Sequence, residues 1–139
     1  MRASEISRTG LDVEWQRLQV IAENLANVST SRTVSGQPYR PMRLLSGPAA
    51  ADFRGSLGTN VAHGVAVMGL EPVAGGTRRV HEPGHPHADA QGFVTYPEVD
   101  QAAEMALMIR TSRAYEANLT AMGIAQQMYA RALDLGAKS

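Results

Sequence analysis

The chain reads as mainly α with a small β-rich middle, in which N- and C-terminal helices form a coiled-coil-like pair around a Gly/Pro-rich insertion. Three observations predict this class. All 7 Pro and ten of the 13 Gly fall within residues 36–97. Both flanks are rich in the helix-favouring residues Ala, Leu, Met, Glu, Gln and Arg. Apolar residues in the flanks recur at alternating steps of three and four, whereas short runs in the middle alternate at period two. The chain of 139 residues therefore divides into an α-helical part, 1–35 with 98–139, and a strand-and-loop part, 36–97.

The first helix is expected to follow the seam Leu11, Trp15, Leu18, Ala22 and Leu25, with Glu14, Arg17 and Glu23 on other faces. Before Gly10 the pattern stops, because Ser4 and Arg8 fall on the equivalent positions. Residues 1–9 are thus expected to order weakly or only against a partner. The helix should close near Asn27, ahead of Ser29-Thr30-Ser31.

In the middle, Val61 to Leu70 and Gly92 to Tyr96 read as strands, the second closed by Pro97. Gly75-Gly76 marks a turn. Residues 36–58 hold too many Gly and Pro to assign and read as a long loop. Arg78-Arg79 reads as a solvated turn.

From Asp100 to Leu135 a second helix carries no Pro and one Gly. Asp100 suits its N-cap, Glu104 its positive end, and Gly136 a left-handed C-terminal cap. Its seam is Met105, Met108, Ser112, Tyr115, Leu119, Met122, Gln126, Tyr129 and Leu133, the spacing of a coiled coil. A stripe of Ala114, Ala121, Ala125, Met128, Ala132 and Leu135 runs beside it. A seam of five positions in the first helix is too short to cover this face. Exposed apolar surface of that extent marks a protein–protein interface, so the sequence favours an assembly module over an enzyme.

Composition narrows the alternatives. The 13 Lys and Arg balance 13 Asp and Glu, which leaves no excess positive charge for nucleic acid or an anionic membrane. With 0 Cys, disulfides, thiolate metal sites and cysteine nucleophiles are excluded. No apolar run reaches the ~18–20 residues that span a bilayer. The charged start, Arg2, Glu5 and Arg8, lacks the apolar stretch of a cleaved signal.

One string resembles an active site: His81-Glu82-Pro83-Gly84-His85 fits the zinc-protease pattern H-E-x-x-H. That chemistry needs both imidazoles on one helical face, and Pro83, Gly84 and Pro86 oppose a helix there. A looser cluster with His87 and Asp89 leaves a loop-held metal, and with it a metal-dependent hydrolase, as a rival reading. A self-contained helical adaptor is another. Asn118-Leu119-Thr120 matches a glycosylation string within a helix and reads as coincidence. No catalytic, cofactor or metal residues are assigned.

The motifs taken together resemble the bacterial flagellar axial rod proteins. Asn24-Leu25-Ala26-Asn27-Val28 with Thr30, then Gly36, Pro38, Tyr39 and Arg40, are similar to that family's N-terminal signature. Pro83-Gly84-His85-Pro86, Ala88-Asp89-Ala90, Gly92-Phe93-Val94 and Tyr96-Pro97 resemble the segment before its last helix. Glu104-Met105, Met108-Ile109 and Arg113-Ala114-Tyr115-Glu116-Ala117-Asn118 resemble its C-terminal signature. Glu98-Val99-Asp100 departs from the family's Asn-Val-Asn.

The resemblance implies a structural subunit of the proximal rod of the basal body, in the periplasm-spanning drive shaft. Its terminal helices would pack with copies of itself and other rod subunits into a tube that transmits torque and lines the export channel. The type III export apparatus would be a partner during secretion, with no cleaved signal peptide. Another rod or hook subunit is the nearest alternative. The expected interface residues are Leu11, Trp15, Leu18, Leu25, Met105, Met108, Tyr115, Leu119, Met122, Tyr129 and Leu133.

Overall fold

A computed structural model of the chain describes residues 2–49 and 64–137. Two helices form an antiparallel pair: α1 (Arg2–Ala26) and α2 (Gln101–Gly136). Between them lie two antiparallel hairpins, β1 (Met42–Pro48) with β2 (Val65–Pro72), and β3 (Thr77–His81) with β4 (Phe93–Pro97). Both terminal helices and the small β middle match the sequence expectation.

Helix α1 begins at Arg2, well before the apolar seam. Nothing in residues 2–9 opposes a helix, and the Thr9 hydroxyl donates to the Ile6 carbonyl at 2.7 Å. Ser4 and Glu5 line a small cleft with Ala125, Gln126 and Tyr129 of α2. The first turns therefore lie against α2 although they carry no apolar stripe. Gly10 permits close approach: a Cβ there would lie 2.8 Å from Asn118 Oδ1. Asn118 in turn donates from Nδ2 to the Ala114 carbonyl at 3.0 Å, within its own helix.

Strand β1 stands where the Gly and Pro content suggested a loop. Breakers bound this strand rather than destroy it: Pro41 precedes it, and Gly47 and Pro48 close it. Its Leu44 is buried, and the ladder with β2 carries a bulge between Leu45 and Ser46. Residues 61–63 of the expected second strand lie outside the described residues, and β2 runs on to Pro72.

Arg78 and Arg79 lie in β3 rather than in a turn. Their guanidinium groups sit over the Tyr96 and Phe93 rings, at 5.2 and 4.7 Å from the centroids. Arg79 also pairs with Asp89. Aromatic faces on β4 thus hold two cations in the ladder, a cation–π arrangement invisible to local propensity.

Asp100 caps α2 as expected, its Oδ1 accepting from the Ala103 amide at 3.0 Å. The opposite end differs. Gly136 is the last helical residue, and Ala137 caps the helix in a right-handed conformation, its N–H donating to Leu133 and Leu135 carbonyls. Those bonds satisfy terminal carbonyls without a left-handed glycine.

Candidate assembly surface

Helix α1 works through two faces. The line Thr9, Val13, Arg17, Ile21 and Asn24, spaced by three and four, turns to the β1–β2 hairpin. Thr9 Oγ1 accepts from the Val65 amide at 3.0 Å, Arg17 donates to Ser46 Oγ at 2.7 Å, and Asn24 bonds Met42. Val13 and Ile21 on that line are buried. Because three of its five residues are polar, an apolar seam does not reveal it.

The neighbouring face meets α2. Leu11 is buried, Leu18 and Leu25 are half-buried, and Ala22 is exposed. Trp15 is 56% exposed, its ring 6.5 Å from that of Tyr115 and tilted 50° to it. Arg8, Leu11, Asp12, Trp15, Tyr115 and Met122 line an open groove along the helix junction.

On α2, the line that turns to α1 is Glu104, Met108, Thr111, Tyr115, Asn118, Met122 and Ala125, each buried or half-buried. Its continuation, Tyr129 and Leu133, is 46% and 57% exposed. Leu119 and Met105 of the expected seam point outward, joined by Ile109, Ile124, Met128 and Leu135, none of which is covered. The uncovered apolar surface therefore has a second origin besides the length mismatch that leaves Tyr129 and Leu133 bare. Helix α1, at 25 residues, covers most of the length of the 36-residue α2. What it leaves bare is the remaining circumference, since one neighbour covers only one stripe of a helix.

Three signature residues, Asn24, Tyr39 and Glu104, meet at a polar corner. Asn24 is fully buried. Its Oδ1 accepts from Tyr39 Oη and the Met42 amide, both at 3.0 Å, and its Nδ2 donates to the Met42 carbonyl at 2.9 Å and to Glu104 Oε2 at 3.4 Å. Glu104 also pairs with Arg43. Burial raises the Tyr39 phenol above its ordinary value, and the charges of Glu23 and Glu104 add to this. Asn27 accepts from the Thr30 hydroxyl at 3.0 Å and donates to the Glu23 carbonyl at 2.9 Å, turning the chain out of α1. Ala26, Arg113 and Glu116 are exposed, whereas Ala114 is half-buried.

Beyond His81, the last residue of β3, the histidine-bearing segment is a set of turns. His85 Nδ1 accepts from the His87 amide at 3.0 Å, and His87 Nδ1 shares a hydrogen bond with the Ser31 hydroxyl at 2.9 Å. His81 packs edge-on against Phe93. Among the described residues, no group of three or more His, Asp or Glu is placed to hold a metal. No helix among them is long and apolar enough to cross a membrane.

Exposed apolar surface of this kind suits burial against an apolar partner, and the comparisons with known proteins give the family. The family model described as flagellar basal body rod FlgEFG protein, C-terminal, matches residues 90–135, the segment holding almost all of α2. The flagellar basal-body rod protein FlgC of Borreliella burgdorferi is 36% identical over 92% of this chain and 91% of its own. The chain belongs to the FlgC family. FlgC of Salmonella typhimurium is 34% identical over 95% of this chain and 94% of its own, and FlgC of Bacillus subtilis 32% over 94% of each. The Asn24 corner and the apolar residues exposed around α2 belong to this FlgC-family chain.

Proposed function

We propose that this chain is a structural subunit of the bacterial flagellar basal-body rod, with no catalytic role. Residues 1–35 and 98–139 form its axial, coiled-coil-like domain, and 36–97 its outer segment. The axial helices pack against those of neighbouring copies and other rod subunits, in a head-to-tail contact that extends a tube instead of closing a dimer. The tube transmits motor torque and lines the export channel, and the subunit reaches it through the flagellar type III apparatus.

One observation carries this reading: Met105, Ile109, Leu119, Ile124, Met128, Leu133 and Leu135 lie exposed along a single helix. In an isolated subunit that surface is in water, and burial against neighbours returns about 25 cal/mol per Å². Trp15, Leu18, Leu25, Met108, Tyr115, Met122 and Tyr129, all at least partly exposed, complete the interface along the helix junction and its end, while Leu11, expected there too, is buried within the subunit.

The test is Leu133→Glu in a strain that depends on this subunit. A carboxylate left unpaired in a closed apolar contact costs roughly 3–5 kcal/mol, at least a hundredfold in association. Motility and rod assembly should be lost while the purified variant keeps its helix content by circular dichroism. Normal rods from both Leu133→Glu and Ile109→Glu would overturn the reading.

A further inference from the structure

Apolar contact between α1 and the β1–β2 hairpin runs through Val13, Ile21 and Leu44. Such contact is non-directional and tolerates a range of tilts. The bonds at Asn24 do not. At the start of β1, Val73 donates to the Pro41 carbonyl at 2.9 Å, so the amide and carbonyl of Met42 point to the free edge of the strand. There the Asn24 carboxamide meets both, accepting from one and donating to the other. A side chain stands in for the missing neighbouring strand.

We propose that Asn24 is a positioning residue that fixes the register and angle of the β1–β2 hairpin on the helix pair, with Tyr39, Glu104 and Arg43 as its supports. Tyr39 holds the carboxamide oxygen from one side, and Glu104 brings the amide nitrogen into contact with α2. Arg43, next to Met42, closes on Glu104, and its Nη1 is buried without a hydrogen-bond partner among the described residues. An uncompensated buried donor costs stability, which directional positioning explains better than energy does. A slip of one residue would exchange Leu44 for Leu45 on the buried face.

Because the chain has 0 Cys, labels can be placed cleanly. Cysteines at the exposed positions Glu71 in β2 and Ala117 in α2 carry spin labels for distance measurement by pulsed electron resonance. With Asn24 intact, one narrow distance distribution is expected. Asn24→Asp keeps the shape, removes the donor to Met42 and sets a carboxylate beside Glu104. It should broaden the distribution at least twofold, with helix content unchanged. Asn24→Ala should do the same and, lacking the acceptor as well, speed exchange of the Met42 amide at least tenfold. Ile21→Ala removes apolar burial from the same junction and should lower stability while the distribution stays narrow. A narrow distribution in Asn24→Asp would overturn the proposal. So would equal broadening in Ile21→Ala, which would assign the angle to packing. Should either Asn24 variant fail to fold, Tyr39→Phe deletes one bond to Oδ1 and must broaden the distribution measurably, or the proposal falls.

Discussion

Trp15→Ala separates the folding of one subunit from its assembly. A Trp side chain carries ~150–250 Å², and 56% of it here is exposed. The part covered by Tyr115 and the groove wall is then about 70–110 Å², or ~2–3 kcal/mol at 25 cal/mol per Å². This is an upper value, because the unfolded chain already hides some surface. Full burial would have cost ~3–5 kcal/mol. We therefore expect the isolated variant to lose about 2 kcal/mol, read by urea unfolding followed at 222 nm. The exposed remainder, roughly 80–140 Å², is available to a neighbour and corresponds to a further ~2–3 kcal/mol, thirty- to more than hundredfold in association. Since Trp15 is the only Trp, its fluorescence in the parent reports this directly, with a blue shift on assembly. A loss of 4 kcal/mol or more in the isolated chain would refute the partition, since no ring surface would be left for a partner. Unchanged emission and rod assembly would refute it from the other side.

The remaining predictions concern the middle of the chain. His87 is held below the ordinary imidazole value, chiefly by desolvation, then by the charges of Arg32 and His85. The folded form thus disfavours its proton, so its contribution to stability is present above about pH 6.5 and lost as pH falls through the folded value. Proton NMR should show His87 titrating below a free imidazole, and Arg32→Ala should move the midpoint up; no movement would exclude Arg32 as a cause. Gly64 adopts φ +83°, and a Cβ there would meet Thr9 Oγ1 at 2.2 Å. Gly64→Ala should therefore cost about 1–2 kcal/mol from the left-handed backbone, and more as the Thr9 bond to Val65 breaks. Gly36→Ala, at φ +82° with open space around it, should show the backbone cost alone. Equal losses at the two sites by denaturant titration would show that the Thr9 contact is immaterial.

Much of the architecture was legible because its signals are local. The absence of Pro from both flanks, the capping carboxylate of Asp100 and the period-two run ending at Pro97 each act within a few residues. These set the type and the approximate ends of α1, α2 and β4. The signature residues Asn24, Asn27 and Asn118 could be picked out from the sequence, yet their roles could not. Strand β1 escaped notice because its ends are made of breakers and its partner lies beyond residues 50–63. The first turns of α1 escaped because their stability is supplied by α2.

The sequence by itself determined that this chain ends in two helices whose apolar residues outnumber the places to bury them internally, since periodicity and composition are properties of a segment. Only the tertiary structure decided which residues are left over. It turned Val13 and Ile21 inward to a hairpin, set Trp15 at the rim of the junction and left Ile109, Ile124 and Met128 bare. A helix has one circumference to divide among its neighbours, and that division depends on where the hairpin and the second helix dock, which no single segment encodes.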